Sequence, residues 1–230
     1  MVKRIGSNNP ERHPMKRMLV AATVVIIAAA ALISRGESPN AAGPDPAQSR
    51  LSPRTHWADH AVIQVWIDRQ NLPTRGDQLV ERAMQTWGTA SDGAFTLRRT
   101  FVERDAGIRV YFNGAGGNYG ETRPRVNRAT GLIDEAEVAI AADAPIQADP
   151  LTRDIIVYLT ALHELGHALG LEHTANFDDI MYLFREPEDG PRYFGNYRRL
   201  LRSGEDIGTA KATGLSAYDV AALRGLYNGK

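Results

Sequence analysis

A long amphipathic helix is predicted in the second half of the chain. Asp149 can accept the first free amides of this helix, and Pro150 suits the first helical position because its missing N–H costs nothing there. At 100° per residue, five positions fall within roughly 40° of one line. These positions are Ile155, Leu159, Leu162, Gly166 and Leu169. We expect this line to be the buried face of the helix.

The rest of the pattern predicts four strands and two further helices. Apolar residues alternate or cluster at strand spacing over residues 61–68, 94–102, 107–112 and 131–141. Helical spacing predicts a helix over residues 77–87 ended by Gly88, and Ser216 caps a last helix with Asp219 at its third position. The order is strand, helix, three strands, helix, loop, helix. It predicts an α+β domain with a mixed twisted sheet and about three helices.

The last predicted strand has one apolar and one acidic face. Ala136, Val138 and Ile140 alternate with Glu135 and Glu137. Charges that face outward suit the edge of a sheet, so we expect this strand at the edge.

A glycine-rich stretch precedes that strand. Residues 113–121, NGAGGNYGE, predict turns and a loop. The stretch lacks the strand–loop–helix setting and the terminal Lys-Ser/Thr of a phosphate-binding loop, which disfavours nucleotide chemistry. After position 55 the chain holds 19 basic and 24 acidic residues, so its body is net negative and no nucleic-acid partner is expected.

The head of the chain has the composition of a targeting element. Residues 1–17 are basic and end in Lys16 and Arg17, and residues 18–34 begin with sixteen residues without a charge. A cleaved signal peptide and an uncleaved membrane anchor both fit, whereas a soluble helix would show a polar face. Both place the body outside the cytoplasm. Residues 35–55 are rich in Pro, Gly and Ser and predict a flexible linker, so the folded domain is expected over residues 56–230.

The chemistry concentrates in residues 163–173, HELGHALGLEH, which hold three of the six histidines. His163 and His167 are one helical turn apart, so their imidazoles are neighbours, and Glu164 is predicted on the exposed side. The chain has no cysteine, so a metal must be held by His, Asp or Glu. Two imidazoles four residues apart can share one Zn²⁺.

A third ligand requires the chain to turn. Gly170 can adopt a left-handed conformation and direct His173 back to the metal, which leaves the fourth zinc position for water. Glu164 is then the general base that takes a proton from a zinc-activated water. The alternatives are a zinc site that is catalytically idle and, less in keeping with the spacing, ordinary surface or core histidines.

These residues match the H-E-x-x-H-x-x-G-x-x-H signature, and the chain resembles the metzincin zinc endopeptidases. Within them it is similar to matrixins, because Met181 in DIMY resembles the Met-turn and residues 214–227 resemble the closing helix. The resemblance implies one catalytic zinc on His163, His167 and His173. It also implies that Met181 lies beneath the metal and that a peptide extends along an edge strand by β-augmentation.

The expected substrate contacts are therefore Ala136, Glu137, Val138 and Tyr182. Calcium is an open possibility with Asp134, Glu135 and Glu137 as candidates, although a solvated face explains them as well. No histidine lies between His60 and His163, so the second zinc of animal matrixins is not expected. Residues 183–213 are predicted to form part of the substrate cleft wall or a solvated loop.

Together these observations predict an exported zinc-dependent endopeptidase, secreted or tethered to a membrane through residues 18–34. Its expected partner is a peptide or protein substrate, and the chain is expected to be a monomer. The alternative is a membrane-tethered module that binds zinc and peptides without catalysis. A nucleotide or nucleic-acid enzyme has only the glycine-rich loop in its favour.

Overall fold

A computed structural model of the chain describes residues 55–113, 119–141 and 148–227. These residues form five strands and four α-helices, with short 3₁₀ turns at Glu103–Asp105 and Gly204–Asp206. The strands are β1 (Ala61–Ile67), β2 (Phe95–Thr100), β3 (Ile108–Phe112), β4 (Gly120–Val126) and β5 (Ile133–Ile140). The helices are α1 (Gly76–Ala90), α2 (Pro150–Ala168), α3 (Asp189–Arg198) and α4 (Ala217–Tyr227). The predicted α+β class is confirmed.

The five strands form one mixed sheet in the order β2-β1-β3-β5-β4. Four strands are parallel, and β4 runs antiparallel to β5 at the end of the sheet. The prediction that residues 133–141 form the edge strand is therefore wrong, because β5 pairs with β3 on one side and with β4 on the other. The predicted alternation is nevertheless present, since Ala136, Val138 and Ile140 are buried.

The edge strand β4 is the element that the sequence pattern missed. Its residues GETRPRV show no apolar alternation, and Pro124 stands within the strand. Proline is tolerated at a sheet edge, because an edge strand leaves half of its amides unpaired within the sheet. A charged strand with a proline has the composition of a protected edge and is easily mistaken for a loop.

Two helix predictions need correction. The first helix does not end at Gly88 but continues to Ala90, because Trp87 and Ala90 are both buried on its inner side. Packing thus overrides the low helix propensity of glycine. The segment after the Met-turn, expected as a wall or loop, contains the ten-residue helix α3. The number of helices among the described residues is therefore four rather than about three.

Helix α2 lies at the centre of the core. All five residues of the predicted buried line are buried. The side chain of Trp87 reaches across from α1, and its Nε1 donates a hydrogen bond of 2.8 Å to the Leu162 carbonyl. The helix also contacts β4 and β5. Because β4 covers its other side, Glu164 is only 5% exposed, and the prediction that Glu164 faces solvent is wrong.

Side chains form hydrogen bonds with free backbone groups at both ends of α2. The Asp149 side chain accepts hydrogen bonds from the amides of Leu151 and Thr152, which confirms the predicted N-cap. At the other end, Trp57 Nε1 donates to the Ala168 carbonyl at 2.8 Å, and the Tyr227 hydroxyl donates to the Leu169 carbonyl at 2.9 Å. Trp57 near the start of the folded domain and Tyr227 near its end thus both bind the C-terminus of α2, where the turn to His173 begins.

The predicted basic head (residues 1–17), the signal or anchor (residues 18–34) and all of the linker except Thr55 lie outside the described residues. In the part of the chain that the structure describes, no helix has both the length and the apolar character needed to cross a membrane.

Candidate metal centre and active site

His163 and His167 lie one turn apart near the end of α2 with their Nε2 atoms facing each other. His163 Nδ1–H donates a hydrogen bond of 2.6 Å to the Ile180 carbonyl, and His167 Nδ1–H donates one of 2.8 Å to the Leu171 carbonyl. A carbonyl can only accept, so both protons reside on Nδ1 and both Nε2 atoms carry a lone pair. These two Nε2 atoms are 3.1 Å apart.

The turn after α2 brings the third imidazole to the same point. Gly170 has φ +101°, and the hydrogen bonds from Gly170 N to the His167 carbonyl and from Leu171 N to the Gly166 carbonyl form a Schellman motif. The chain then leaves the helix axis, and His173 Nε2 lies 3.1 Å from His167 Nε2. The predicted role of Gly170 in redirecting the backbone agrees with this geometry.

The three histidines fit a zinc site. Their ligand atoms all lie within 4.8 Å of one another. Among the described residues, these three histidines form the cluster of potential ligands that could hold a metal ion. Tetrahedral zinc with N ligands at ~2.1 Å places those nitrogens about 3.4 Å apart. Lone pairs that converge at such distances repel each other unless a cation lies between them. The hydrogen bond from Nδ1–H of His163 and of His167 to a backbone carbonyl is the usual support for a metal-binding histidine.

The environment keeps these imidazoles neutral. Burial, reinforced by the neighbouring His167, lowers the pKa of His163 to about 3. Burial also lowers the pKa of His167 and of His173. Neutral imidazole is the form that binds a metal, so the site is ready for a cation at neutral pH.

Met181 packs directly beneath the histidine turn of α2. Its side chain is 2% exposed, and a Cβ at Gly166 would lie 2.5 Å from the Met181 sulfur. Gly166 therefore allows the thioether to approach the helix backbone between the two histidines. Thr174 N donates to the Met181 carbonyl at 2.8 Å, which ties the residue after His173 to the Met-turn.

Glu164 lies between α2 and the edge strand. Thr122 donates its hydroxyl proton toward Glu164 Oε2 at 2.7 Å, and the Glu164 carbonyl is 3.0 Å from the same hydroxyl. A Cβ at Gly120 would lie 2.5 Å from Glu164 Oε1, so only glycine permits this approach. Burial raises the pKa of Glu164 to about 7, although the Thr122 hydrogen bond opposes that shift.

Several of these supporting residues had no signal in the sequence. Gly120 and Thr122 were missed because β4 was not recognised as a strand. Asp219 was assigned only to the cap of α4, which the structure confirms through its hydrogen bonds with Ser216. Asp219 Oδ2 also accepts the Ile180 amide at 2.9 Å, a long-range contact that spacing along the chain does not encode.

The predicted substrate contacts do not lie together at an open edge. Ala136 and Val138 are buried in β5, and Glu137 is exposed but belongs to a strand that is paired on both sides. The edge-strand premise for these three residues is therefore wrong. Tyr182 lies next to Met181 and donates its hydroxyl to Asp189 at 3.1 Å.

Two of the three calcium candidates, Asp134 and Glu135, take part in ion pairs with arginines. Arg125 contacts Asp134 at 3.1 Å and Glu135 at 2.9 Å, and Arg109 contacts Glu135 at 3.4 Å. These pairs tie β4, β5 and β3 together on the outer face of the sheet.

Helix α3 joins the segment after the Met-turn to the edge strand. Tyr119, directly before Gly120, packs against Phe184 and Phe194 with ring centroids 6.0 and 4.9 Å apart. A Cβ at Gly190 would lie 2.7 Å from the Tyr119 hydroxyl oxygen, so glycine at this position leaves room for the Tyr119 ring. An aromatic cluster thus connects the start of the edge strand to Phe184 and to helix α3.

The mixed sheet, the long helix with its glycine turn, the three converging imidazoles and the buried methionine define a metallopeptidase domain of the metzincin type. The family model for matrixins matches residues 64–193, which is more than half of the chain. The chain therefore belongs to the matrixin family.

Known relatives match a large part of the chain. The chain is 27% identical over 161 residues to an interstitial collagenase of Sus scrofa, an alignment that covers 64% of this chain and 32% of the relative. It is 27% identical over 172 residues to the interstitial collagenase of Equus caballus, covering 69% and 33%. It is 32% identical over 130 residues to matrix metalloproteinase-15 of Homo sapiens, covering 49% and 18%. The chain spans about a third of the length of these two collagenases.

Proposed function

We propose that the chain is a zinc-dependent endopeptidase that hydrolyses peptide bonds with Glu164 as its general base. The observation that carries this proposal is the convergence of three neutral imidazoles beside a buried carboxylate. Membership of the matrixin family supports it, as does the likeness to proteins named collagenase and matrix metalloproteinase.

His163, His167 and His173 would hold the zinc through their Nε2 atoms. A bound zinc ion supplies Lewis acidity, which lowers the pKa of a water molecule toward 7 and stabilises negative charge on a carbonyl oxygen. The carbonyls of Ile180 and Leu171 keep two of the rings in the required tautomer and orientation. Met181 supports the site from below as a rigid apolar floor.

Glu164 takes a proton from the water that attacks the peptide carbonyl and then delivers it to the leaving amine. Its position one residue from His163 and its burial both favour this role. A carboxylate in a poorly solvated site binds a proton more readily than one in water, which suits a group that must accept and return a proton near neutral pH.

We propose β4, not β5, as the strand along which an extended peptide binds. It is the end strand of the sheet, so the backbone groups that do not pair with β5 are available to a substrate chain. Its first residue, Gly120, already lies against Glu164. A peptide that pairs with β4 would therefore pass beside the general base. The contribution of Tyr182 remains a prediction.

The test is cleavage of a peptide library by the purified full-length protein, with zinc content measured on the same sample. We expect about one equivalent of zinc, loss of cleavage with a chelator, and recovery when zinc is restored. Glu164→Ala should reduce kcat at least ~100-fold while zinc remains bound, because a general base contributes about that much.

Unchanged cleavage by the Glu164→Ala protein would contradict the assigned base. If the wild-type protein binds zinc at one equivalent but cleaves no peptide in the library, the catalytically idle zinc-binding module is the better description. His173→Ala serves as the matched variant for the metal, since it should lower zinc affinity and cleavage together.

We further propose that the protein is exported and acts outside the cytoplasm. The basic residues Lys16 and Arg17 before the apolar run of residues 18–33 support this assignment. N-terminal sequencing of the protein recovered from outside the cell would distinguish a cleaved signal peptide from an anchor. Recovery of the whole protein in the cytoplasm would contradict export.

A further inference from the structure

Thr122 is the side chain that contacts the proposed general base from the edge strand. Gly120 and Thr122 are two residues apart in β4, so they lie on the same face, and that face meets α2. Gly120 leaves room for one oxygen of the Glu164 carboxylate, and the Thr122 hydroxyl lies 2.7 Å from the other. Among the described residues, Thr122 is the one whose side chain donates a hydrogen bond to this carboxylate.

We propose that Thr122 is a positioning residue that holds the Glu164 carboxylate in the orientation needed for proton transfer. This inference rests on the proposed function, because it assigns Glu164 the role of general base. It concerns a side chain that no motif in the sequence identified.

The geometry suits both protonation states of Glu164. The Thr122 hydroxyl has one proton and two acceptors within reach, Glu164 Oε2 at 2.7 Å and the Glu164 carbonyl at 3.0 Å. While the carboxylate is ionised, the hydroxyl donates to Oε2. After the other carboxyl oxygen has taken a proton from water, Oε2 is the C=O oxygen of the neutral carboxyl group and still accepts from the hydroxyl. The contact is therefore kept through the transfer, which limits reorientation of Glu164 between its two tasks.

A valine at this position would retain the shape of threonine and lose the hydroxyl. The carboxylate would then be buried without its side-chain partner, and its orientation would depend on packing alone. Substrate binding along β4 uses backbone groups, which Thr122→Val leaves in place. The inference therefore predicts a loss in kcat rather than in KM.

The kinetic test compares Thr122→Val, Thr122→Ser and wild type. We expect Thr122→Val to lower kcat about 10-fold with KM within about twofold, since a hydrogen bond to a charged group is worth roughly that factor. Thr122→Ser should restore most of the lost kcat because it returns the hydroxyl. Thr96→Val is the matched control, since Thr96 is an exposed threonine of β2 at the opposite end of the sheet.

A second measurement is independent of catalysis. In zinc-free protein, denaturant unfolding is compared for wild type, Thr122→Val, Glu164→Ala and the double variant. We expect Thr122→Val to lower the unfolding midpoint clearly more in the wild-type background than in the Glu164→Ala background, because the two side chains are coupled.

Equal shifts in both backgrounds would overturn the inference, as would a Thr122→Val enzyme with wild-type kcat or a Thr122→Ser enzyme no better than Thr122→Val. A wild-type protein that cleaves nothing would instead refute the proposed function. The unfolding comparison would still decide whether Thr122 holds Glu164.

Discussion

Asp219 and Ile180 are separated by 39 positions, and the Asp219 Oδ2 atom accepts the Ile180 amide at 2.9 Å. The carbonyl of the same residue, Ile180, accepts the Nδ1–H of His163 at 2.6 Å. A carboxylate of the last helix thus holds the backbone segment that orients a proposed zinc ligand. Asp219 is 1% exposed and also accepts the Ser216 amide at 2.8 Å, so its position is well determined.

Replacement of Asp219 should weaken the metal site without touching a ligand. In Asp219→Ala, the Ile180 amide loses its acceptor and the carbonyl that faces His163 becomes less well fixed. We expect zinc affinity to fall about 10-fold and the free energy of unfolding to fall by about 2 kcal/mol. Competition with a chelating dye measures the first quantity and denaturant unfolding the second. Asp178→Ala, at an exposed neighbouring position of the Met-turn segment, should change neither.

Gly170 is the position at which any other residue should damage the site most directly. Its φ of +101° disfavours a side chain, and an added Cβ would collide with the Thr55 carbonyl. We expect Gly170→Ala to destabilise the fold by about 1–3 kcal/mol and to weaken zinc binding, because the turn carries His173 to the metal. Isothermal titration with zinc and thermal unfolding are the measurements. Wild-type zinc affinity in a folded Gly170→Ala protein would contradict the role of the turn.

Gly88 should accept a side chain, in contrast to Gly170. It lies inside α1, and an added Cβ would meet no atom within 4 Å. Since alanine favours a helix over glycine, Gly88→Ala should raise the free energy of unfolding by about 0.5–1 kcal/mol and leave cleavage unchanged. Chemical denaturation measures the gain. A destabilised variant would indicate that the helix ends at Gly88 after all.

Asp149 should make stability depend on pH in the acid range. Hydrogen bonds from Thr152, followed by those from Arg198, lower the pKa of Asp149 to about 2 in the folded protein. The unfolded value is about 3.9, so the stabilisation is complete above about pH 4 and is lost as pH falls through about 2.

The matched variant is Asp149→Asn, which keeps an N-cap side chain but removes the charge. We expect wild type to be more stable than Asp149→Asn at pH 6, with the difference shrinking as pH decreases from about 4 toward 2. Urea unfolding at several pH values measures this difference. Asp92→Asn, in an exposed turn, is the comparison for a general charge effect. A difference between wild type and Asp149→Asn that stays constant with pH would contradict the assignment.

Local chemistry was sufficient to predict the parts of the site that lie on one continuous segment. The spacing of His163 and His167 follows from one helical turn, and Gly170 is a residue that can take a left-handed φ where the chain must change direction. The buried face of α2 and its Asp149 cap follow from periodicity and from unpaired helix amides in the same way. These features depend on neighbours within a few residues, so the sequence contains their cause.

The surroundings of the site were decided by tertiary structure. Strand β4 has almost no apolar pattern, and its place beyond β5 results from pairing with a strand that the sequence suggested as the edge. That pairing buries Glu164 and brings Thr122 to its carboxylate. Likewise, the contact of Asp219 with Ile180 depends on where α4 packs. The spacing of apolar residues along a helix or strand determines which of its faces is apolar. Only the packing of the whole chain determines which other element covers that face.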